Sequence, residues 1–272
     1  MSDVPLSFLP NTPARPPSRR FATFRVIVAL MLREMSATHG RTAFGYLWAI
    51  LEPVAGIMVM TVIFSLGFRS PGIGTSFALF FASGVLPFTA YMDMHGKTAQ
   101  AQRFSKALLA YPGVTFMDAI LARVILTAMT QLLIGFILFS AIIILYDLDV
   151  IVDIPAMVLA YLMSFSLGLG VGTLNSYLLT LYPLWEKAWA ILNRPLFLAS
   201  CIFFVFDMVP LPYRDWLWWN PLIHVVGQMR SGVYATYDGS YVSYLYVFTI
   251  SAVALATGLL LLRQYHRDLI NI

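Results

Sequence analysis

Two residues of opposite charge, Arg41 and Glu52, bracket the point where a basic leader gives way to a long apolar run, in Arg41-Thr-Ala-Phe-Gly-Tyr-Leu-Trp-Ala-Ile-Leu-Glu-Pro53. A guanidinium at such a boundary can hold a phosphate or carboxylate bidentately. An acid at membrane depth is costly unless paired, so Glu52 calls for a base, Arg41 or another at the interface. The two are 11 positions apart, about three turns if helical throughout, and need not meet within one chain. A second set is aromatic: Tyr213, Trp216, Trp218 and Trp219, followed by an Asn-Pro break. Such residues anchor chains at the headgroup level. They also suit carbohydrate, because sugar rings present apolar faces to aromatic side chains while their hydroxyls seek polar partners. A third set, Gln102, Arg103, Phe104 and Lys106, lies in a short basic stretch, residues 99 to 112, ended by Pro112-Gly113. It reads as an amphipathic helix, either a solvated loop or a docking helix for a cytoplasmic partner.

Several chemistries are excluded. There is no GxxxxGK[ST], GxSxG or HExxH, so neither nucleotide hydrolysis nor covalent catalysis is expected of this chain. The four histidines are scattered without ligand spacing and the one cysteine, Cys201, lies in an apolar run; no metal site and no disulfide are expected. The glycines from Gly168 to Gly172 lack the strand, turn and helix context of a nucleotide fingerprint. Beside Ser164, Ser166 and Thr173, they suit close helix packing in lipid.

The elements that position these residues are membrane helices. The chain is 60% hydrophobic and only 11% charged, against about 25% charged in soluble domains. Uncharged runs of 23 (70–92), 23 (124–146), 32 (154–185) and 24 residues (239–262) each exceed the roughly 20 a crossing needs. Two further crossings are expected near 50–68 and 188–206, with short re-entrant helices before the last span. The spans therefore number six, in an all-α integral membrane protein. With the N-terminus inside, 14 of the 17 Lys and Arg fall in cytoplasmic segments, so both termini are assigned there and no nucleic-acid partner is needed to explain the basic charge. Residues 1–20 carry five prolines and read as a disordered cytoplasmic lead; 21–272 form the transmembrane domain. From Phe21 to His39 apolar residues recur at three and four, an amphipathic helix at the membrane surface.

Gly45-Tyr-Leu-Trp-Ala-Ile-Leu-Glu-Pro53 and Trp219-Asn-Pro-Leu-Ile-His-Val-Val226 resemble the matching segments of permease subunits of ABC exporters for capsular polysaccharide, a group related to O-antigen and teichoic-acid exporters. The resemblance runs from about Phe21 to the C-terminus. It implies a homodimer in the bacterial inner membrane, bound to two copies of a separate ATPase that carries ATP and Mg; no cofactor belongs to this chain. It places an interfacial helix at Phe21 to His39, a coupling helix near Gln100 to Leu109 and re-entrant helices between Met208 and Tyr234. The substrate it implies is a lipid-linked polysaccharide threading a channel past Arg41, Tyr46, Trp48 and Glu52 and out past the aromatics. A periplasmic co-polymerase and an outer-membrane channel would complete the path. Exporters of O-antigen, teichoic acid, or a small lipid or drug remain alternatives, as do a secondary transporter and a membrane scaffold.

Overall fold

The computed structural model describes residues 22–39, 45–101 and 116–264, and all regular structure among them is helical. In order come α1 (Ala22–His39), α2 (Gly45–Gly67), α3 (Phe77–Ala99), α4 (Phe116–Leu145), α5 (Ile154–Leu181) and α6 (Pro183–Ala199). A 3-10 turn (Phe206–Met208), α7 (Tyr213–Trp218), α8 (Pro221–Val233) and α9 (Tyr244–Gln264) follow. Residues 1–20, the proposed coupling residues Gln102, Arg103, Phe104 and Lys106, and Arg41 lie outside the described residues.

Local chemistry sets the helix starts. Ser76 caps α3, its hydroxyl accepting from the Leu79 N–H at 3.4 Å. Asp153 caps α5 through the Ala156 N–H at 3.2 Å, with Pro155 in the first turn. Both arrangements satisfy N–H groups that a helix leaves open.

Among the described residues, five helices are long and apolar enough to cross a membrane: Leu47–Gly67 of α2, α3, Ile120–Leu145 of α4, α5 and α9. The crossing expected near 188–206 falls on α6. That helix has 17 residues, contains Glu186, Lys187, Arg194 and Pro195, and ends at Ala199. Residues 200–205 then run irregularly, so by length and composition α6 does not qualify alone. The expected crossing had joined the short uncharged run after Arg194 to the residues before it, and the helix ends at Ala199, inside that run.

The core is built on α5, which packs most extensively on α3 and α9 and also carries α8. In the most apolar window of α3, 78% of residues are buried, against 6% in α2. α3 is therefore the most buried of the candidate crossings, and α2 lies bare along one side. Small residues set the central spacing. A Cβ at Gly172 would stand 2.8 Å from the His95 carbonyl oxygen on α3, and one at Gly170 would stand 2.4 Å from the Ser251 carbonyl oxygen on α9. The glycine-rich run is thus a two-sided contact ridge, as close packing in lipid requires. The helix α1 is tied down by charge: Arg123 on α4 meets Glu34 at 3.1 Å and donates to the Lys97 carbonyl at 2.9 Å. The expected surface helix is thereby fastened to the base of α3 and α4.

Candidate functional site

The aromatic segment before the last crossing divides into residues that build and residues that are displayed. Asn220 caps α8 by accepting from the Leu222 N–H at 3.1 Å, and its amide donates to the Ala199 carbonyl at 3.0 Å, at the end of α6. Pro221 opens the helix, where its missing N–H costs nothing. One turn on, His224 is fully buried. Its Nδ1 accepts from the Ser243 N–H at 3.2 Å, so Nε2 carries the proton and donates to the Trp218 carbonyl at 2.9 Å. Burial pushes the imidazole pKa down, against the opposing effect of its bonds to backbone. A neutral ring is the only form that keeps both bonds. The Trp-Asn-Pro-Leu-Ile-His sequence is therefore a clasp joining α6, α7, α8 and the start of α9.

Trp218 belongs to that clasp. Its indole stacks on Tyr246 at 5.2 Å, meets His224 edge-on at 5.0 Å, and donates to the Tyr241 carbonyl at 3.2 Å. Trp216, 81% exposed, and Tyr213, 69% exposed, sit on α7, which buries no residue. Trp219 is exposed too, although its carbonyl accepts from the Tyr246 hydroxyl at 2.7 Å. Of the four aromatics expected at the outer end, three are displayed and one is structural. Trp218→Ala is expected to lower the stability of the detergent-solubilised protein by about 2 kcal/mol, within the range for truncating a packed aromatic. Trp216→Ala should stay within about 0.5 kcal/mol of the parent. Melting followed by size-exclusion chromatography checks both.

Beneath the clasp sits a charged group that the sequence did not single out. Arg230 on α8 is fully buried. It donates to the Phe204 carbonyl at 2.8 Å and the Ile202 carbonyl at 3.1 Å, and its guanidinium carbon lies 4.5 Å from the centre of the Phe80 ring. The irregular stretch after α6 exposes carbonyls that no helix pairs, and arginine supplies the missing donors. The only sequence signal was a base terminating an apolar run.

On the opposite side, Trp48 (66% exposed) and Glu52 share a face of α2 at a spacing of four, both turned away from the chain's own core. Tyr46 lies in the first turn of the same helix. Glu52 and Pro53 are inside α2 rather than at its edge. Whether Arg41 meets Glu52 lies outside the described residues. A polar chain that the sequence gave no reason to assemble closes the same end. His95 on α3 is 2.8 Å from the Asn175 amide on α5, and Trp185 on α6 donates to the Asn175 oxygen at 2.8 Å. Each is a polar group in an apolar setting, which is the signal for a partner, but pairing across 80 positions is set only by the fold.

Among the described residues, an all-α bundle with five candidate crossings and an exposed apolar first crossing defines a multi-pass membrane protein. The chain belongs to the ABC-2 type transporter family, whose membrane-domain model matches residues 25–234. It is 31% identical over 239 residues to the polysialic acid transport protein KpsM of Escherichia coli, covering 87% of this chain and 92% of that one. It is also similar to the capsule polysaccharide export inner-membrane protein CtrC of Neisseria meningitidis, at 23% identity over 89% of this chain and 92% of CtrC. BexB of Haemophilus influenzae, of the same description, is 24% identical over the same shares.

Proposed function

We propose that this chain is the transmembrane subunit of an ATP-driven exporter that moves lipid-linked capsular polysaccharide across the bacterial inner membrane. The observation that carries the reading is the likeness to the polysialic acid transport protein, which spans nearly the whole of both chains. The permease has no hydrolytic machinery of its own in this reading; a separate pair of ABC ATPase subunits binds ATP and Mg. Both termini are cytoplasmic, α7 and α8 dip into the outer leaflet, and no nucleic acid is involved.

Two copies form the channel. A polymer many sugars long cannot be enclosed in one alternating cavity, so a continuous passage advanced by ATPase strokes is the simpler geometry. The bare face of α2, with 6% of its apolar window buried, supports a second copy as its cover. Arg41 steers an anionic headgroup toward the exposed Trp48 and Glu52, with Tyr46 beside them, and Tyr213, Trp216 and Trp219 guide the chain outward. A periplasmic co-polymerase and an outer-membrane channel complete the route.

Deleting the gene in its native host should abolish surface polysaccharide while polymer accumulates inside, and plasmid-borne protein should restore export. Retention of a full capsule after deletion overturns the reading. Coupling is tested separately. Reversing charge at Arg103 and Lys106 together is expected to reduce co-purification of the ATPase at least fivefold while permease abundance in membranes stays unchanged. Undiminished association removes that segment from the docking site.

A further inference from the structure

The second crossing carries a polar stripe that the packing of the chain covers only in part. On the cytoplasmic half of α3, Ala90, Tyr91, Met94, His95 and Thr98 are buried, and Gly168 and Gly172 of α5 press against this face. Thr89, Asp93 and Lys97 are spaced by four and so share another face; Asp93 is exposed, and Thr89 and Lys97 are half-buried. The uncharged run from Ser70 ends just before Asp93, which puts the acid at the edge of the span on sequence alone. The helix instead continues to Ala99. That leaves Asp93 about 9 Å inside α3 at 1.5 Å per residue.

An ionisable group within a candidate crossing rarely faces hydrocarbon; it faces protein or a water-filled passage. Asp93 is also held in place. Its Oδ2 accepts a hydrogen bond from the side-chain amide of Gln131 on α4, a residue only 4% exposed. The amide anchors one carboxylate oxygen, and Oδ1 receives no further hydrogen bond among the described residues. A carboxylate with one oxygen anchored and the other presented is suited to sugar hydroxyls, which donate one bond each and exchange readily. Lys97, of opposite sign and one turn away, keeps the face close to neutral, so a charged polymer would not be trapped there.

We propose that the Thr89, Asp93 and Lys97 face of α3 lines the aqueous passage, and that Asp93, oriented by Gln131, is a contact for the hydroxyls of the passing glycan. The assignment rests on the export reading above and adds to it a specific binding residue on the second crossing.

Cysteine labelling tests it directly, because the chain's one cysteine, Cys201, is buried and is removed by Cys201→Ala. The complex with its ATPase is placed in lipid nanodiscs and treated with a water-soluble maleimide. Asp93→Cys is expected to react at least tenfold faster than Val253→Cys, which sits on an exposed apolar face of α9. It should also react at least threefold more slowly in complex purified with stalled polymer than in complex from cells making none. Thr89→Cys, one turn deeper, carries the same readout if Asp93→Cys does not accumulate. Reaction no faster than at Val253→Cys overturns the passage, and fast reaction indifferent to polymer overturns the glycan contact. Asp93→Asn, which keeps an acceptor for Gln131, should cut surface polymer at least threefold at normal permease abundance and normal ATPase association; undiminished export overturns the contact. The gene deletion separates the two levels: a strain that keeps its capsule without the gene refutes the export reading, whereas a lost capsule combined with silent Asp93 variants refutes this assignment alone.

Discussion

Replacing Arg230 with alanine is expected to destabilise the protein by about 3 kcal/mol or more and to deplete it from membranes. Two carbonyls, of Ile202 and Phe204, lose their donors at once, and a bond from a charged donor contributes about 1.5–3 kcal/mol. The guanidinium also fills space against Phe80, so truncation adds a void to two unpaired acceptors. Backbone acceptors away from water have no substitute partner. Arg230→Lys is the informative intermediate. One ammonium cannot reproduce the planar fork that reaches both carbonyls, so about half of the loss should remain. Arg230→Met, which restores volume but no donor, should behave like alanine. Thermal unfolding of the solubilised chain, with membrane abundance as a second measure, decides the matter; a melting curve unchanged in Arg230→Ala would show that the turn after α6 is held by other means.

The second large effect is expected at Gly170. Valine there should cost about 3 kcal/mol, the upper end for forcing extra carbons into a packed interior. The obstacle is the Ser251 backbone, 2.4 Å from where a Cβ would stand, and backbone cannot step aside as a flexible side chain can. Since α5 and α9 form one of the two largest contacts in the chain, separating them loosens the whole bundle. Gly56→Val is the matched control. It lies on α2 with nothing within 4 Å of an added Cβ, and its stability in the solubilised monomer should be within about 0.5 kcal/mol of the parent. If the two variants melt alike, close contact at Gly170 is not what spaces these helices. Because α2 is bare in one chain, the Gly56 variant carries a further reading: normal monomer stability with impaired assembly would point to α2 as the face a second copy covers.

These two residues show how unevenly the molecule is held. α3, α5, α8 and α9 form a tightly packed body, with Arg230 fastening the irregular turn to it. α2 and the exposed side of α6 contribute little to that body. Trp48, Glu52, Ile191 and Leu192 all point away from it, which is where the proposed passage and its second copy would lie.

The all-helical membrane class was legible in the sequence because it depends on sums. Charge scarcity and run length report how much of a segment tolerates hydrocarbon, whatever it packs against. Four long uncharged runs correspond to α3, α4, α5 and α9, whereas the Glu-Pro pair lies inside α2, which begins at Gly45. The glycine-rich segment was legible as a packing surface for the same local reason. Element ends were less secure: Asp93 looked like a boundary because charge was the criterion, yet a helix ends where its backbone bonds end, and α3 runs on to Ala99. Near 188–206 an apolar count suggested a crossing, but the helix there ends at Ala199 and the turn at 200–205 is irregular.

What the sequence determined by itself was therefore the solvent of each segment and the residue types able to contact lipid, sugar or a partner. The tertiary structure alone decided which of those residues are displayed and which are consumed in packing. Trp216 and Trp218 are two positions apart and of one type, but only Trp218 meets Tyr246 and His224. Arg230 and Asp93 are both charged residues bordering apolar runs. The first is sealed under a turn 26 positions away, and the second is held open by a glutamine 38 positions away. The physical reason is that composition fixes the energy of a residue in an environment, whereas partners are fixed by which helices meet and how closely, and in this chain that is set by a few glycines and buried polar contacts far apart in sequence.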